Sequence, residues 1–292
     1  MFFADQKDEI QGLCQKIKMP GEMTEKVLEL LEQYDFGPLR QGLEMLVDPS
    51  RNEDGFRLIQ EKLQNQANAP SIWLAAYLIA TLQTHRLYLL KGIDDSIYYE
   101  TMACFTRFVN EHRESYGTYG FDRAFWPHRQ TSLRLFRLGT LEFEMVHYAG
   151  QDLSLDGNVV LRSGEPILSV HIPGDARLGG ENCHASYDQA KEFFARYYPE
   201  FHYKAFYTHT WLLSPALKQL MPQESNILNF QKDYGICHID GKDNGYVVWV
   251  FKNPKLKPED FPEKTTLQRT IKSHVLGGGL VGSAAGIVRY PA

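Results

Sequence analysis

The sequence is poor in the features that mark most special classes of protein. Only four cysteines occur in 292 residues, at positions 14, 104, 183 and 237. They are widely and irregularly spaced, with no C-x-x-C, which excludes a zinc ribbon or a thioredoxin-type motif. So few also argue against a secreted disulfide scaffold. Positive charge is not in excess: 31 Lys and Arg stand against 36 Asp and Glu, a net charge of −5. Nucleic acid or an anionic membrane would call for a basic surface, so neither is expected as a partner. Long apolar runs are missing too. The longest weakly polar stretch, Val275 to Val288, carries five glycines and is too short to span a bilayer. The opening MFFADQKDEI has neither the basic start nor the apolar core of a signal peptide, so a cytoplasmic location is expected. His147, His202 and His238 are scattered, without H-E-x-x-H or comparable spacing, and no metal is expected.

What is present is ordinary for a folded chain. Hydrophobic residues make up 43% and charged residues 23%, both close to the globular average. The length suits one large domain or two ordinary ones. A chain of this size buries roughly 75% of its unfolded surface and needs no staples. Aromatics are plentiful, with 17 Phe, 16 Tyr and 4 Trp, enough for a well-filled core and a cleft for an organic ligand.

Up to about residue 125 the pattern is helix after helix. Val27, Leu30, Leu31 and Tyr34 fall at i, i+3, i+4, i+7, one core-facing stripe. Phe56, Leu58, Ile59 and Leu63 continue it after a break at residues 52–55. Pro70-Ser71 opens a long apolar helix from Ile72 to Leu90, stopped by Lys91-Gly92. Asp94, Asp95 and Ser96 begin another that runs to about Arg113, its acidic first turn matching the helix dipole.

The texture changes after Pro127. Leu141, Phe143 and Met145 alternate with Thr140, Glu142 and Glu144, a strand with one wet face. Asp156-Gly157, between Leu153–Leu155 and Val159–Leu161, predicts a hairpin. Ile167 to Ile172 reads as a third strand, stopped by Pro173-Gly174. Ser186-Tyr-Asp-Gln189 has the form of a capping box and predicts a helix over 187–198. Tyr203 to Leu213 is a strand-like run, and Ser214-Pro215 opens a helical stretch to about Phe230. Ile236–Ile239 and Tyr246–Phe251 read as two strands around a turn. Thr265-Thr-Leu-Gln268 is a capping box for a last helix ending near Gly277. The second half is thus β-β-β-α-β-α-β-β plus a helix.

That order resembles the core of the GNAT acyltransferase fold. The resemblance extends over nearly the whole chain, to a bacterial two-domain acyltransferase-like family. It is carried by 133–144 (LRLFRLGTLEFE), 171–174 (HIPG), 186–194 (SYDQAKEFF), 211–215 (WLLSP) and 225–230 (SNILNF). The resemblance implies an α+β protein: an all-helical N-terminal domain over 1–130, then a GNAT-like mixed β-sheet flanked by helices over 131–292. It implies an acyl-CoA cosubstrate, acetyl-CoA first, and a small-molecule amine acceptor, with the helical domain covering the acceptor side. In GNAT folds a strand hands over to a helix through a loop whose amides grip the coenzyme's pyrophosphate. Here that loop is Pro173 to Ala185. Its Arg177-Leu-Gly179-Gly180-Glu-Asn182 matches the usual Q/R-x-x-G-x-G/A except at Asn182. The expected coenzyme contacts are Val170, Ile172, Arg177, Gly179, Gly180, Ser186 and Asn226.

Acyl transfer to an amine needs a base, a polarised carbonyl and a proton for the departing sulfur. His171, ending the third strand beside that loop, reads as the base or as a residue ordering the turn. Glu144, with Glu142, is a carboxylate base or part of a solvated face. His209 and Tyr207 share one face of a strand, lining an acceptor cleft or packing in an aromatic core; Tyr207 is also a candidate leaving-group acid. Ser225 and Asn226 read as a local helix cap or as contacts to the pantetheine arm. Cys183-His184 raises a thiol nucleophile, with no orienting third group visible. Gly277–Gly282 has glycines but follows a helix and lacks Lys-Ser/Thr, so it reads as a helix stop and packing loop. A different class stays open beside the enzyme: a catalytically degenerate GNAT-like protein that binds a ligand or partner without turnover.

Overall fold

The structure, a computed structural model, describes residues 6–253 and 255–289. The chain divides into two compact units, one ending at Leu138 and the other beginning at Gly139. No helix among the described residues is long and apolar enough to cross a membrane.

The first unit holds α1 (Lys7–Lys16), α2 (Gly21–Gln33), α3 (Arg40–Leu46), α4 (Asn52–Leu63), α5 (Ala69–Lys91), α6 (Asp95–Met102), α7 (Cys104–Tyr116), the single turn α8 (His128–Thr131) and a short strand β1 (Leu135–Leu138). Its centre is α5. Every residue from Ser71 to Leu82 is buried, as expected for a helix that is apolar all round and has partners on every side. It stops at Gly92, whose φ of 68° is the left-handed conformation that a C-terminal glycine supplies. The helix expected to run from Asp94 to Arg113 is two, α6 and α7, broken at Ala103.

The second unit holds β2 (Leu141–His147), β3 (Leu153–Leu155), β4 (Asn158–Leu161), β5 (Pro166–His171), α9 (Gly180–Tyr197), β6 (Phe206–Thr210), the single turn α10 (Leu217–Leu220), α11 (Asn226–Lys232), β7 (Tyr234–Asp240), α12 (Tyr246–Phe251), α13 (Thr266–Leu276) and β8 (Ser283–Val288). Its main sheet runs β2-β5-β6-β8-β7. All neighbours are antiparallel except β5 and β6, which are parallel. The hairpin turn falls at Asp156-Gly157, with φ of 52° and 82°, the pair of left-handed residues that a tight hairpin needs. The capping box at Thr265 and Gln268 forms as expected.

Period two divides the sheet into two faces. Phe143, Leu168, Val170 and Phe206 turn to one side, where Tyr187 of α9 packs its ring on Phe143 and Phe206. Glu142, Glu144 and Val146 of β2, Ile167, Ser169 and His171 of β5, and Tyr207 and His209 of β6 turn to the other. One end of that second face is closed by an apolar cluster of Tyr148, Leu153, Leu161 and Ile167, with Val146, Val160, Tyr207 and Cys237 against it. The β3–β4 hairpin supplies part of that cover.

Four local expectations give way to the structure. Tyr246–Phe251 is a helix, not a strand: an unbroken apolar run fits either, and here Tyr246, Val250 and Phe251 pack with α10, α11 and α13 in one core. The element order read from the sequence ends with a helix, but after the Gly277–Gly282 loop, which forms as expected, the chain enters β8, paired on both sides. Its small residues, Ala284, Ala285 and Gly286, carry no strand signal because larger ones do not fit; a Cβ on Gly286 would stand 3.0 Å from the Gly235 carbonyl. The strand expected over Tyr203–Leu213 spans only 206–210 and passes into a 3-10 turn at Trp211. Finally, α9 begins at Gly180, so Ser186 is not its cap. Ser186 lies inside the helix, buried; its Oγ donates to the Asn182 carbonyl (3.0 Å) and accepts from the Thr140 N–H (2.8 Å). The capping motif is also the mid-helix back-bonding motif, and sequence cannot tell them apart.

Ser186 thereby ties α9 to the start of β2, and the fit leaves no room. Gly139 has φ of 67°, and a Cβ there would sit 2.6 Å from Ser186 Oγ. Gly139→Ala is expected to cost about 1–3 kcal/mol of unfolding free energy, read from the denaturant midpoint. An unchanged midpoint would mean that this junction is not tight in solution.

Candidate active site

The two parallel strands at the middle of the sheet part company early. β5 and β6 are in register only at Leu168–Phe206 and Ser169–Tyr207. Beyond that point each strand keeps its outer partner. β5 stays paired to β2 out to His171 opposite Glu142, and β6 stays paired to β8 out to Thr210 opposite Ala284. The result is a V-shaped notch with two stiff arms. Among the described residues no registered pair joins the two arms beyond Ser169 and Tyr207.

Leaving the notch, the chain runs through 172–179 into α9. In this connection the Ala176 N–H donates to the Pro173 carbonyl (2.9 Å) and the Arg177 N–H to Thr140 Oγ1 (2.7 Å). The Asn182 and Cys183 N–H groups turn back to the Gly179 carbonyl. Between these, the amides of Leu178, Gly179, Gly180 and Glu181 donate to no protein acceptor among the described residues. Four consecutive donors at the start of an 18-residue helix, at its positive dipole end, form an anion-binding arrangement.

Of the expected coenzyme contacts, Gly179 and Gly180 lie in this arrangement. Nothing lies within 4 Å of where a Cβ on Gly180 would be, so space is open above it. Arg177 is exposed on the same connection. Val170 turns its side chain into the core at 1% exposure, so only its main chain reaches the notch. Ile172 is half-buried just past β5. Ser186 is spent on the α9–β2 junction. Asn226 is the exposed first residue of α11, and Ser225 caps that helix by accepting the Leu228 N–H, the local-cap reading.

On the second face of the sheet, His171 Nε2 donates to Glu144 Oε2 at 2.9 Å. Glu144 and Glu142 are 5% and 2% exposed. The expectation of a solvated face fails here: these carboxylates are buried. A buried carboxylate is costly unless partnered, and His171 partners Glu144. With Nε2 donating to the carboxylate, Nδ1 is the ring's other proton-carrying position. This is the base-and-orienter arrangement seen wherever an imidazole takes a proton during acyl transfer.

Across the notch, His209 is exposed and its Nε2 pairs with Ser283 Oγ at 2.8 Å. Tyr207 stands one step deeper. Its ring packs on Tyr148 with centroids 5.3 Å apart, and burial first, then the neighbouring Tyr148 and Cys237, pushes its phenol up to about 12. The structure therefore brings His171, Glu144, Tyr207 and His209 to one face. Sequence reasoning missed Ser283, which sits in the undetected strand.

Cys183 and His184 do not act together. His184 Nε2 donates to Asp233 Oδ1 at 2.9 Å, a partner that the sequence did not reveal. Cys183 is fully buried, on the helix that covers the opposite face of the sheet. Burial, then Asp233, pushes its thiol up to about 12, which removes the thiolate that nucleophilic catalysis requires.

The fold and this constellation define the class, a two-domain acyltransferase. Residues 8–133 match the N-acyltransferase N-terminal domain and residues 135–288 match the GNAT-like C-terminal domain. The chain belongs to the family built from these two domains. Solved structures share the fold. A mutant acyltransferase in complex with octanoyl-CoA superposes with a TM-score of 0.79 at 21% identity, covering 97% of this chain and 88% of that one. An acyltransferase in complex with decanoyl-CoA and teicoplanin superposes at 0.78, with the same identity and coverage. No curated protein matches the chain.

The burial of Cys183 has a direct consequence. At pH 8 the native protein should leave Cys183 unlabelled by iodoacetamide, while the denatured chain takes up label there, as read by peptide mass. Labelling of the folded protein at the rate of a free thiol would contradict the burial.

Proposed function

We propose that the protein transfers an acyl group from an acyl-coenzyme A to a small-molecule amine acceptor. One observation carries the proposal: the run of four unused amides, Leu178 to Glu181, at the mouth of the β5–β6 notch. These donors suit the coenzyme's diphosphate. The unpaired edges of the notch suit the amides of the pantetheine arm, and a thioester carried along that path reaches the face with His171 and Glu144.

The chemistry follows from what each group can hold. The amine nitrogen attacks the thioester carbon, and His171 takes the proton that the nitrogen loses. Glu144, buried beside it, fixes the ring and stabilises the imidazolium that forms. A main-chain N–H on the edge of β5 past the last registered pair polarises the carbonyl in this reading. Arg177 adds charge to the phosphate cradle. Asn226, with α11, is available to the pantetheine arm. Acetyl-CoA is the first thioester to test. Octanoyl and decanoyl thioesters come next, because similar structures hold them. Teicoplanin is bound by one such structure; the acceptor of this chain is an amine of a small molecule.

Saturating acyl-CoA should raise folding stability by about 2.7 kcal/mol at one hundred times its dissociation constant, and an amine panel should release free coenzyme A thiol. His171→Ala is expected to lower kcat roughly 10²–10⁴-fold. Stabilisation without thiol release for any amine would favour the second reading, a degenerate GNAT-like binder. No stabilisation by any acyl chain length would sink both.

Gly180→Leu separates the cradle from the fold. A Cβ there meets nothing within 4 Å and leucine favours a helix more than glycine does, so the melting temperature should hold. The new side chain would stand over the open amides, and KM for acyl-CoA should rise at least about tenfold. An unchanged KM would place the diphosphate elsewhere.

A further inference from the structure

The notch carries matching side chains on its two arms. Ser169 and Tyr207 form its last registered pair. Two residues further along each arm stand His171 and His209, one on β5 and one on β6. Period two puts both on the face that bears Glu144. Each ring is held at Nε2 by a side chain of its own outer neighbour strand: His171 by Glu144 of β2 (2.9 Å) and His209 by Ser283 of β8 (2.8 Å). A thioester seated in the notch therefore has one imidazole on either side.

The two partners differ in kind. Glu144 is a buried carboxylate that accepts from the ring it touches. A hydroxyl carries no charge and can serve either protonation state of its ring by turning its O–H. His209 is exposed and exchanges protons with water; Ser283 is fully buried and fixes the ring without occupying the cleft.

We propose that His209 is the acid that protonates the departing coenzyme A sulfur, and that Ser283 is its positioning residue. This rests on the acyl-transfer reading. As the nitrogen–carbon bond forms and the carbon–sulfur bond breaks, the amine's proton goes to His171 and the sulfur takes a proton from the His209 imidazolium. Water then removes the proton from His171 and restores one to His209. Tyr207 is the weaker candidate. Its phenol, held near 12 and packed on Tyr148, would have to protonate the anion of a thiol whose ordinary value is about 8.5, an uphill transfer.

The test varies the leaving group. With wild-type enzyme and one amine, kcat/KM is measured for an acyl-CoA and for the same acyl group on thionitrobenzoate, a thiolate that leaves without a proton. His209→Gln should lose roughly 10²-fold on acyl-CoA and at most a few-fold on the activated thioester. Ser283→Ala should show the same selectivity at a smaller scale, about 3–10-fold on acyl-CoA. Equal losses of His209→Gln on both substrates would reduce the ring to a structural or binding role and overturn the proposal. So would a leaving-group-dependent loss in Tyr207→Phe with none in His209→Gln. A wild-type protein that turns over neither thioester would instead fail the acyl-transfer reading itself, before any variant is compared.

Discussion

The short ladder between β5 and β6 is the constraint on which the site depends. A parallel pair that stops after two registered residues leaves main-chain donors and acceptors without mates in the middle of a sheet. Such groups are costly to bury. The parting persists because both strands are fixed from outside. β2 and β8 are antiparallel partners that stay in register past the point of separation, so neither arm can swing inward to close the gap. The connection that follows cannot close it either, since Thr140 holds the Arg177 amide and Ser186 holds the Thr140 amide. That chain of hydrogen bonds anchors the loop to β2 and leaves the next four amides outward.

The two faces of the sheet use the same residue types to opposite ends. Under α9, the phenols of Tyr187 and Tyr234 bond each other, and burial pushes both well up; the neighbouring Cys183 thiol is likewise held neutral. None of these three groups ionises near neutral pH. On the other face His171 and His209 remain accessible to water, and Glu144 is buried only where His171 can meet it. Removing either member of that dyad would strand the other in a poorly solvated place, so the pair acts as one unit.

Legibility in the sequence followed how local the cause was. The left-handed turn at Asp156-Gly157, the glycine stop of α5 at Gly92 and the capping box of α13 are decided within a few residues, and each could be read. β8 could not, because its alanines and Gly286 are selected by the close approach of strands distant in sequence. Alternation along β2 correctly paired Glu142 with Glu144 on one face. It could not say that this face is covered, since that depends on a hairpin and neighbours folded in from elsewhere. His171 was visible as the residue ending a strand beside the loop. Its bond to Glu144, 27 residues away, and that of His209 to Ser283, 74 residues away, follow from strand order and register, which one sequence does not display.

Asn182 is the one position at which the loop departs from the usual pattern. The usual loop has a small residue at that position, and an asparagine there suggests a damaged cradle. In this chain, however, the Asn182 N–H is already committed to the Gly179 carbonyl at 3.0 Å, inside the first turn of α9. It is not one of the four outward amides, so a larger side chain at that position removes no main-chain donor from them. The Asn182 side chain is exposed, and its Nδ2 lies 3.2 Å from where a Cβ on Gly179 would stand, against the cradle's own backbone. An amide NH₂ in that position adds a neutral donor beside the charge of Arg177. The larger side chain therefore leaves the four outward main-chain donors as they are.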